Sequence, residues 1–523
     1  MTSTSERAGS PSATASDAFA HDLARDAIGP WGVFAQGIAA AAPSVALASV
    51  PVALFVAAGK GAFWAVVVGL AITLLLAGTI SFQARRTVTS GSLGTYTGNG
   101  LGPGFAFASG LSLLLGYIGF ATTGTLGAVL YLNAFLDSIG LGSSETWFRI
   151  LLIVVVVAVA IWFPVRGVSV TAKYELVFEA FALVTILIVI VAAYVSHGPS
   201  IDFDQLNPAH LGQSATFVAA VVAVGSYAGF ESVASLGREA RDAHRSIPRS
   251  LLRVVILLGV IYLFATYPQV LHFDELDLDN AVLPQVADSA GIGWINVLVS
   301  AAVTVAMIVF VTAVVNSAAR GIFTFAREGA LPAVLGTAHP RYRTPAVAVL
   351  LIGAIATVFA IIASVSSAGR LLFDVYAGYV ATWGFIISYL LVAIATPIWL
   401  RRIKALTPVR LLVSLGAILG IGYVIFSNFF PVPEWPFNIL PLVFLALLAI
   451  GLTRYAWLRV RRPEIAKRIG TLQTLSDEER ERLTSLGLLT DADESDAVFA
   501  EAAAAHEAAA ADRGADEDAE GVR

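Results

Sequence analysis

The sequence predicts an all-α membrane protein of twelve transmembrane helices, and three observations lead there. Of 523 residues, 57% are hydrophobic and 13% charged, against roughly 25% charged in ordinary soluble proteins, which excludes a soluble globular fold. Twelve apolar stretches reach the roughly 20 residues that a helix needs to cross a bilayer, about twice the length of a barrel strand. Basic residues collect on alternate loops, as successive crossings in opposite directions require. The formal net charge of −5 offers no basic face for a nucleic acid, and the absence of cysteine excludes disulfides, thiolate metal sites and cysteine nucleophiles.

Residues 1–29, rich in Ser, Thr and Ala, read as a disordered cytoplasmic tail. They lack the basic patch, short apolar core and cleavage site of a secretory signal. The membrane domain, 30–462, carries segments near 33–57, 62–82, 104–136, 147–164, 172–196, 212–236, 250–272, 292–319, 345–365, 371–399, 408–430 and 436–459. Backbone in lipid must satisfy its own hydrogen bonds, so each run is a helix. Residues 463–523 turn polar, Ala-rich and acidic, and read as a cytoplasmic appendage. Within it Ser476-Asp477-Glu478-Glu479 has capping-box spacing ahead of Leu483 and Leu486. Ala500 to Ala511 has high helix propensity but almost no apolar face to bury, so it is expected to be mobile.

Orientation follows from the basic residues. One set of loops holds Arg85, Arg86, Arg166, Lys173, Arg238, Arg241, Arg245, Arg249, Arg253, Arg320, Arg327, Arg341, Arg343, Arg401, Arg402, Lys404 and Arg410. The opposite set holds Lys60, Arg149 and Arg370 but collects Asp202, Asp204, Asp274, Glu275, Asp277 and Asp279. Seventeen basic residues against three put both termini in the cytoplasm.

Two segments are interrupted. The first reads Gln36-Gly37-Ile38-Ala39-Ala40-Ala41-Ala42-Pro43-Ser44. Proline has no N–H and crowds the preceding turn, so Ala39, or a carbonyl close to it, loses its helical partner. The sixth reads Gly225-Ser226-Tyr227-Ala228-Gly229-Phe230-Glu231-Ser232, two glycines four apart and then an acid at membrane depth. Breaks five helices apart fit two five-helix units repeated with inverted topology, with the broken helices facing each other at the midplane. Segments 11 and 12 stand outside that 5+5 repeat.

A broken helix offers N–H groups at a positive dipole end for a carboxylate and carbonyls for an ammonium group, and a zwitterion matches both. The candidate substrate site is therefore where these two interrupted segments meet. The plain structural alternative is a proline kink and glycines that permit close packing. Glu231 is the candidate coupling residue for a proton or cation, because an acid at the bilayer centre costs roughly 2.5–3.5 kcal/mol. Its structural alternative is a carboxyl hydrogen-bonded to the backbone of a neighbouring helix. Glu175 and Glu179, one turn apart in segment 5, read as a paired or solvated inner face with Lys173.

Four stretches resemble the amino acid, polyamine and organocation transporter superfamily, over segments 1 to 12. Ser90-Gly91-Ser92-Leu93-Gly94-Thr95-Tyr96 with Gly102, Gly104 and Phe105 looks like its entry to helix 3. Gly229-Phe230-Glu231-Ser232 followed by Arg238-Glu239 and Arg245-Ser246-Ile247-Pro248-Arg249 is similar to its helix 6 and following loop. Asn316-Ser317-Ala318-Ala319-Arg320, running into Ala326-Arg327-Glu328-Gly329-Ala330-Leu331-Pro332, resembles the end of helix 8, and His339-Pro340 with Thr344-Pro345 precedes helix 9.

The resemblance implies a LeuT-like carrier that works by alternating access and holds substrate between broken helices 1 and 6, with Ala40, Ala41, Ala42, Pro43 and Ser44 matching the unwound part of helix 1 and Ser226, Tyr227, Ala228 and Gly229 that of helix 6. Glu231 falls on a helix 6 glutamate given a proton-sensing role in some members. Ala40-Ala41-Ala42-Pro43 replaces the common glycine-serine-glycine run. No tryptophan stands in the helix 6 break, so an aromatic gate falls to Tyr227, Phe230 or Tyr117. The helix 5 lysine of several members aligns with Ala182, which leaves proton and sodium both open as the coupling ion.

The expected function is secondary active transport of an amino acid or related small amine across the plasma membrane of a bacterium. Glu231 as the one acid placed near the midplane favours an amino acid over a polyamine or organic cation, whose charges need more acids. Substrate exchange and uptake are not distinguished. A channel lacks a filter-like loop or charged ring; a non-transporting amino-acid receptor is told apart by flux. No enzyme, cofactor or resident metal is expected, because His197, His210, His272 and His339 sit in or near loops without metal-ligand spacing. Tyr117 and Tyr376 are candidate selectivity residues. The oligomeric state is unreadable, since lipid-facing and subunit-facing surfaces are both apolar.

Overall fold

The computed structural model describes Leu23 and residues 26–196, 198, 201–271, 282–365, 377–432, 435, 438–470 and 474–475. Tyr376, Arg370, His197, His272, the acids from Asp274 to Asp279 and the tail from Ser476 onward lie outside the described residues. Twelve helical stretches among the described residues are long and apolar enough to cross a membrane.

Span 1 is α1 (Pro30–Ala41) and α2 (Pro43–Ala58), divided at Ala42; span 2 is α3 (Ala62–Ala84). A short α4 (Ser92–Leu101) stops at Gly102, whose φ of 89° favours glycine, and Pro103 opens span 3, α5 (Pro103–Ser138). The sequence reading had not separated α4 from the entry to helix 3. Spans 4 and 5 are α6 (Thr146–Arg166) and α7 (Val168–Ser196), turned at Gly167. Span 6 is α8 (Ser214–Gly225), a turn, and a 3₁₀ helix over Phe230–Leu236. Span 7 is α9 (Ala243–Val270), and the short α10 (Val282–Ser289) precedes span 8, α11 (Asn296–Arg327). Spans 9 to 12 are α12 (Ala346–Val365), α13 (Ala377–Arg402), α14 (Pro408–Ser427) and α15 (Leu440–Arg461).

The packing follows the inverted repeat. Spans 1 and 6, 2 and 7, 3 and 8, and 4 and 9 contact each other. Other contacts come in pairs under the same shift of five: 1 with 7 matches 6 with 2, 3 with 10 matches 8 with 5, and 3 with 9 matches 8 with 4. Spans five apart run antiparallel, so the two units are inverted relative to each other. Only 22% of the α14 and α15 windows is buried, against 72% for span 1, which makes the last two spans peripheral. Exposed tryptophans, among them Trp31, Trp147, Trp162 and Trp294, sit at helix ends, where amphipathic rings face the membrane–water interface.

The tails depart from the sequence reading. Leu23 is buried with Phe323 and Ala338. Ile28 bridges Ala240, while Arg241 Nε donates to the Asp26 carbonyl, so the end of the N-terminal tail docks beside the loop after span 6. At the other end α16 (Pro463–Arg468) buries Ala466, Ile469 is buried, and the Gly470 N–H donates to Glu328 Oε1 at 2.8 Å. Thr474–Leu475 (β2) pairs antiparallel with Thr87–Val88 (β1), which with the Ile28–Ala240 bridge departs from an all-helical fold among the described residues. The start of the appendage is therefore strapped across the basic face of the bundle. Composition gave no sign of it, because a few apolar side chains suffice to dock a short segment.

Candidate functional site

Span 1 breaks at Ala42, just before Pro43. Ala42 sits in the left-handed region at φ 45°, and Pro43 opens α2. Pro43 has no N–H for the Ala39 carbonyl, and the Ser44 N–H turns from the Ala40 carbonyl to Glu179 Oε1 at 3.0 Å, with Ser44 Oγ donating to the same oxygen at 2.7 Å. Ala42 is a poor N-cap with no side-chain acceptor. Glu179, from span 5, supplies the acceptor instead, at the positive end of the α2 dipole.

Span 6 breaks at Gly229. Its φ of 108° is costly for any side chain, and a Cβ there would lie 2.2 Å from the Ala40 carbonyl oxygen. The two breaks thus touch through Ala40 and Gly229. The Gly229 N–H donates to Glu231 Oε2 at 3.0 Å, Tyr117 donates to Oε1 at 2.7 Å, and the Tyr389 hydroxyl donates to Oε2. Glu231 is fully buried and ties spans 3, 6 and 10 together. Its donors are two tyrosine hydroxyls and its own break, rather than the backbone of a neighbouring helix.

Ala41, Ala42, Ser226 and Ala228 line a cavity of about 440 Å³ on the side of the breaks away from the basic face. Phe120, Phe310, Tyr379 and Trp383 supply aromatic wall, and Thr123, Thr382 and Asn428 supply polar groups. Among the described residues no charged side chain lines it. Towards the basic face the space shrinks to about 30 Å³ between Ser92, Tyr117, Ser317, Glu328 and Gly470. Beside it Arg320 is buried, donating from Nε to Glu239 Oε2 at 2.5 Å and bonding Asn316, which in turn bonds Gln36.

Of the residues read from sequence, the structure gathers Ala40, Ala41, Ala42, Pro43, Ser44, Ser226, Ala228, Gly229 and Glu231 at the two breaks. Tyr227 turns away from the cavity onto Tyr262, ring centroids 5.1 Å apart, and Phe230 packs on Tyr389. Tyr117 holds Glu231 rather than walling the larger cavity. Three expectations are corrected. The first N–H groups of the half-helices are not free, since built-in carboxylates take them. Glu175 and Glu179 are buried while Lys173 is exposed, so they are no solvated face. Glu231 is not the one acid at the breaks. Glu179 was missed because its partner lies 135 residues away in the chain; the available signal was an acid well inside an apolar run. Ala182, where a lysine stands in related carriers, packs among Ala302, Ala306 and Val45.

Residues 28–452 match the model of the family described as amino acid permease. The low-affinity putrescine importer PlaP of Escherichia coli strain K12 is 28% identical over 289 residues, 52% of this chain and 61% of that protein. The branched-chain amino acid permease BcaP of Bacillus subtilis strain 168 is 23% identical over 313 residues, 57% of this chain and 66% of that protein. The chain thus spans under two thirds of the length of these curated relatives. A solved substrate-bound, outward-open Na+-coupled sialic acid symporter aligns at a TM-score of 0.49 and 14% identity, covering 77% of this chain and 91% of that one.

Proposed function

Because the chain belongs to the amino acid permease family, we propose that it is a secondary active transporter of an amino acid or a related small amine, working by alternating access. The observation that carries this reading is the cavity of about 440 Å³ ending on two broken helices in contact. The path from there to the basic face is shut by Arg320–Glu239 and by the strap at Gly470. One end accessible and the other closed is one half of an alternating cycle. The bias of the basic loops supports a plasma-membrane protein of a bacterium with both termini on the cytoplasmic side, and the large cavity is then on the outer side. The bilayer is then the surrounding partner.

Recognition centres on the substrate's ammonium group. The N–H groups of Ser44 and Gly229 are held by Glu179 and Glu231, whereas the carbonyls of Ala39 and Ala40 have lost their helical donors and suit a cation. Glu231 serves as a coupling acid, for a proton or Na+. A diamine is the second reading, favoured by Glu179 as a second acid at the breaks and in keeping with the putrescine importer among the relatives.

A thermal-shift screen of the purified protein tests the substrate class, because a ligand of the folded state raises apparent stability by RT ln(1 + [L]/Kd). Stabilisation by amino acids supports the first reading; stabilisation by diamines alone supports the second. A stabilising ligand that is not carried across sealed vesicles would make the protein a receptor and overturn both.

A further inference from the structure

In the cavity that ends on the two breaks, the polar side chains of the wall are already engaged by the protein itself. Among the described residues these are Thr123, Ser226, Tyr379, Thr382, Trp383 and Asn428. Three hydroxyls donate to carbonyls three or four residues earlier: Thr123 to Phe120, Ser226 to Ala223 at 2.6 Å and Thr382 to Gly378 at 2.9 Å, as Ser and Thr do in helices. Tyr379 donates to Asn428 Oδ1 and is also hydrogen-bonded to Trp383. The Asn428 amide donates to the Val424 carbonyl at 2.8 Å. None of the four hydroxyls keeps a proton for a ligand.

The rest of the wall is aliphatic or aromatic. Val45, Val50, Val221 and Ile386 face the space. Phe120 and Phe310 meet at 5.7 Å with their planes 52° apart, and Trp383 stands edge-on to Phe429. A solute whose ammonium group sits at the breaks projects the remainder of its body into this space. A charged or hydrogen-bonding remainder would leave water for a wall with no acid and no hydroxyl donor to replace it. Glu179 and Glu231 do not line the cavity; their engaged oxygens hold Ser44, and Tyr117, Tyr389 and Gly229. A small remainder would leave much of the 440 Å³ unfilled, and each methylene in an apolar pocket is worth about 10–200-fold in selectivity. A large apolar remainder fills it, and a ring finds aromatic partners to meet edge to face.

We infer that the transported solute carries one ammonium group and a large apolar side chain, and that Asn428, from the peripheral span 11, enforces this selectivity by fixing Tyr379 on the cavity wall. The inference rests on the carrier reading above and narrows its substrate; it speaks against the diamine. Asn428 follows the last residue of α14, outside the 5+5 repeat, yet it lines the cavity and supplies the acceptor for the Tyr379 hydroxyl. Tyr379 in turn is bonded to Trp383. Without that acceptor the ring is free to turn and offer its hydroxyl to a polar solute, so Asn428 acts through Tyr379 as a positioning residue.

The test uses the full chain in sealed vesicles with both a Na+ and a pH gradient. Uptake of labelled phenylalanine, tryptophan, leucine, alanine, serine, lysine and putrescine is measured at low concentration, where it reads kcat/KM. One or more of the first three is expected to be carried at least about tenfold better than any of the last four. A preference for alanine, serine, lysine or putrescine overturns the inference and leaves the carrier reading standing; uptake of none of the seven overturns both. The part played by Asn428 is read from the ratio of the best-carried large solute to alanine, which a general loss of folded protein does not move. Asn428→Leu is expected to lower that ratio by about tenfold in the wild-type chain and by less than about threefold in a chain that already carries Tyr379→Phe, where no hydroxyl is left to hold. An unchanged ratio in Asn428→Leu, or an equal fall with and without the Tyr379 hydroxyl, overturns the positioning role.

Discussion

An alanine at position 229 would set its Cβ 2.2 Å from the Ala40 carbonyl oxygen, on backbone at φ 108°. Backbone atoms on the facing helix cannot swing aside as a flexible side chain would, so the two breaks must separate. Gly229→Ala is expected to cut uptake by about tenfold or more, the cost of backbone strain of roughly 1–3 kcal/mol, and Gly229→Leu to abolish ligand-induced stabilisation; undiminished binding in the leucine variant would place the site elsewhere. Glu231→Gln keeps the shape of the carboxylate that Tyr117, Tyr389 and Gly229 converge on but removes its ionisation. It should fold, insert and lose the pH dependence of transport, which a pH–rate profile of the variant reads directly. These residues were legible in the sequence because each breaks a local rule: a proline in an apolar run, paired glycines, an acid at membrane depth. Glu179 carries the same signal, an acid inside an apolar run, but Tyr389 carries none, and the roles of both come from partners 135 and 158 residues away. Only the fold supplies those.

The elements that close the basic face make separate predictions. Arg320 and Glu239 are each 1% exposed and bonded at 2.5 Å. Glu239→Ala leaves a buried guanidinium without its anion and is expected to cost about 3–5 kcal/mol, whereas Glu239→Leu with Arg320→Met in the same chain should cost far less; thermal midpoints of the two variants compare them. Ending the chain at Arg462 removes Ile469 and Gly470 from Ala106 and Gly98. Because the protein has no cysteine, a single Ser92→Cys reports access to the narrow cavity. Its labelling by a membrane-impermeant maleimide should quicken about tenfold in the shortened chain if the strap covers the path, a gain equal to releasing about 1.4 kcal/mol of closure; unchanged labelling would show that the strap covers nothing. Helix number and length were legible because the bilayer fixes how many apolar residues a span needs. The strap was not, since Pro463–Arg468 and Thr474–Leu475 dock through a handful of contacts that leave no periodic pattern. The short α4 escaped notice for a related reason: Gly94, Gly98 and Gly100 lower its apolar signal while allowing close packing on α5 and α13.

At the scale of the molecule, contacts that repeat under a shift of five spans make the two breaks counterparts, and each break is capped by a carboxylate, Glu179 at span 1 and Glu231 at span 6. This arrangement was legible in outline from Pro43 and Gly229 alone, five segments apart. The polarity of the site was not, because the sequence suggested half-helix N–H groups open to a substrate carboxylate and the fold fills them from within. The central claim is that a small amine-bearing solute crosses the membrane between these two breaks. The most direct test is uptake of the ligand found by thermal shift into sealed vesicles, measured for the wild type beside Gly229→Leu. Saturable uptake by the wild type that the variant lacks is the predicted result. Equal uptake by both, or none by a wild type that binds the ligand, would contradict the account.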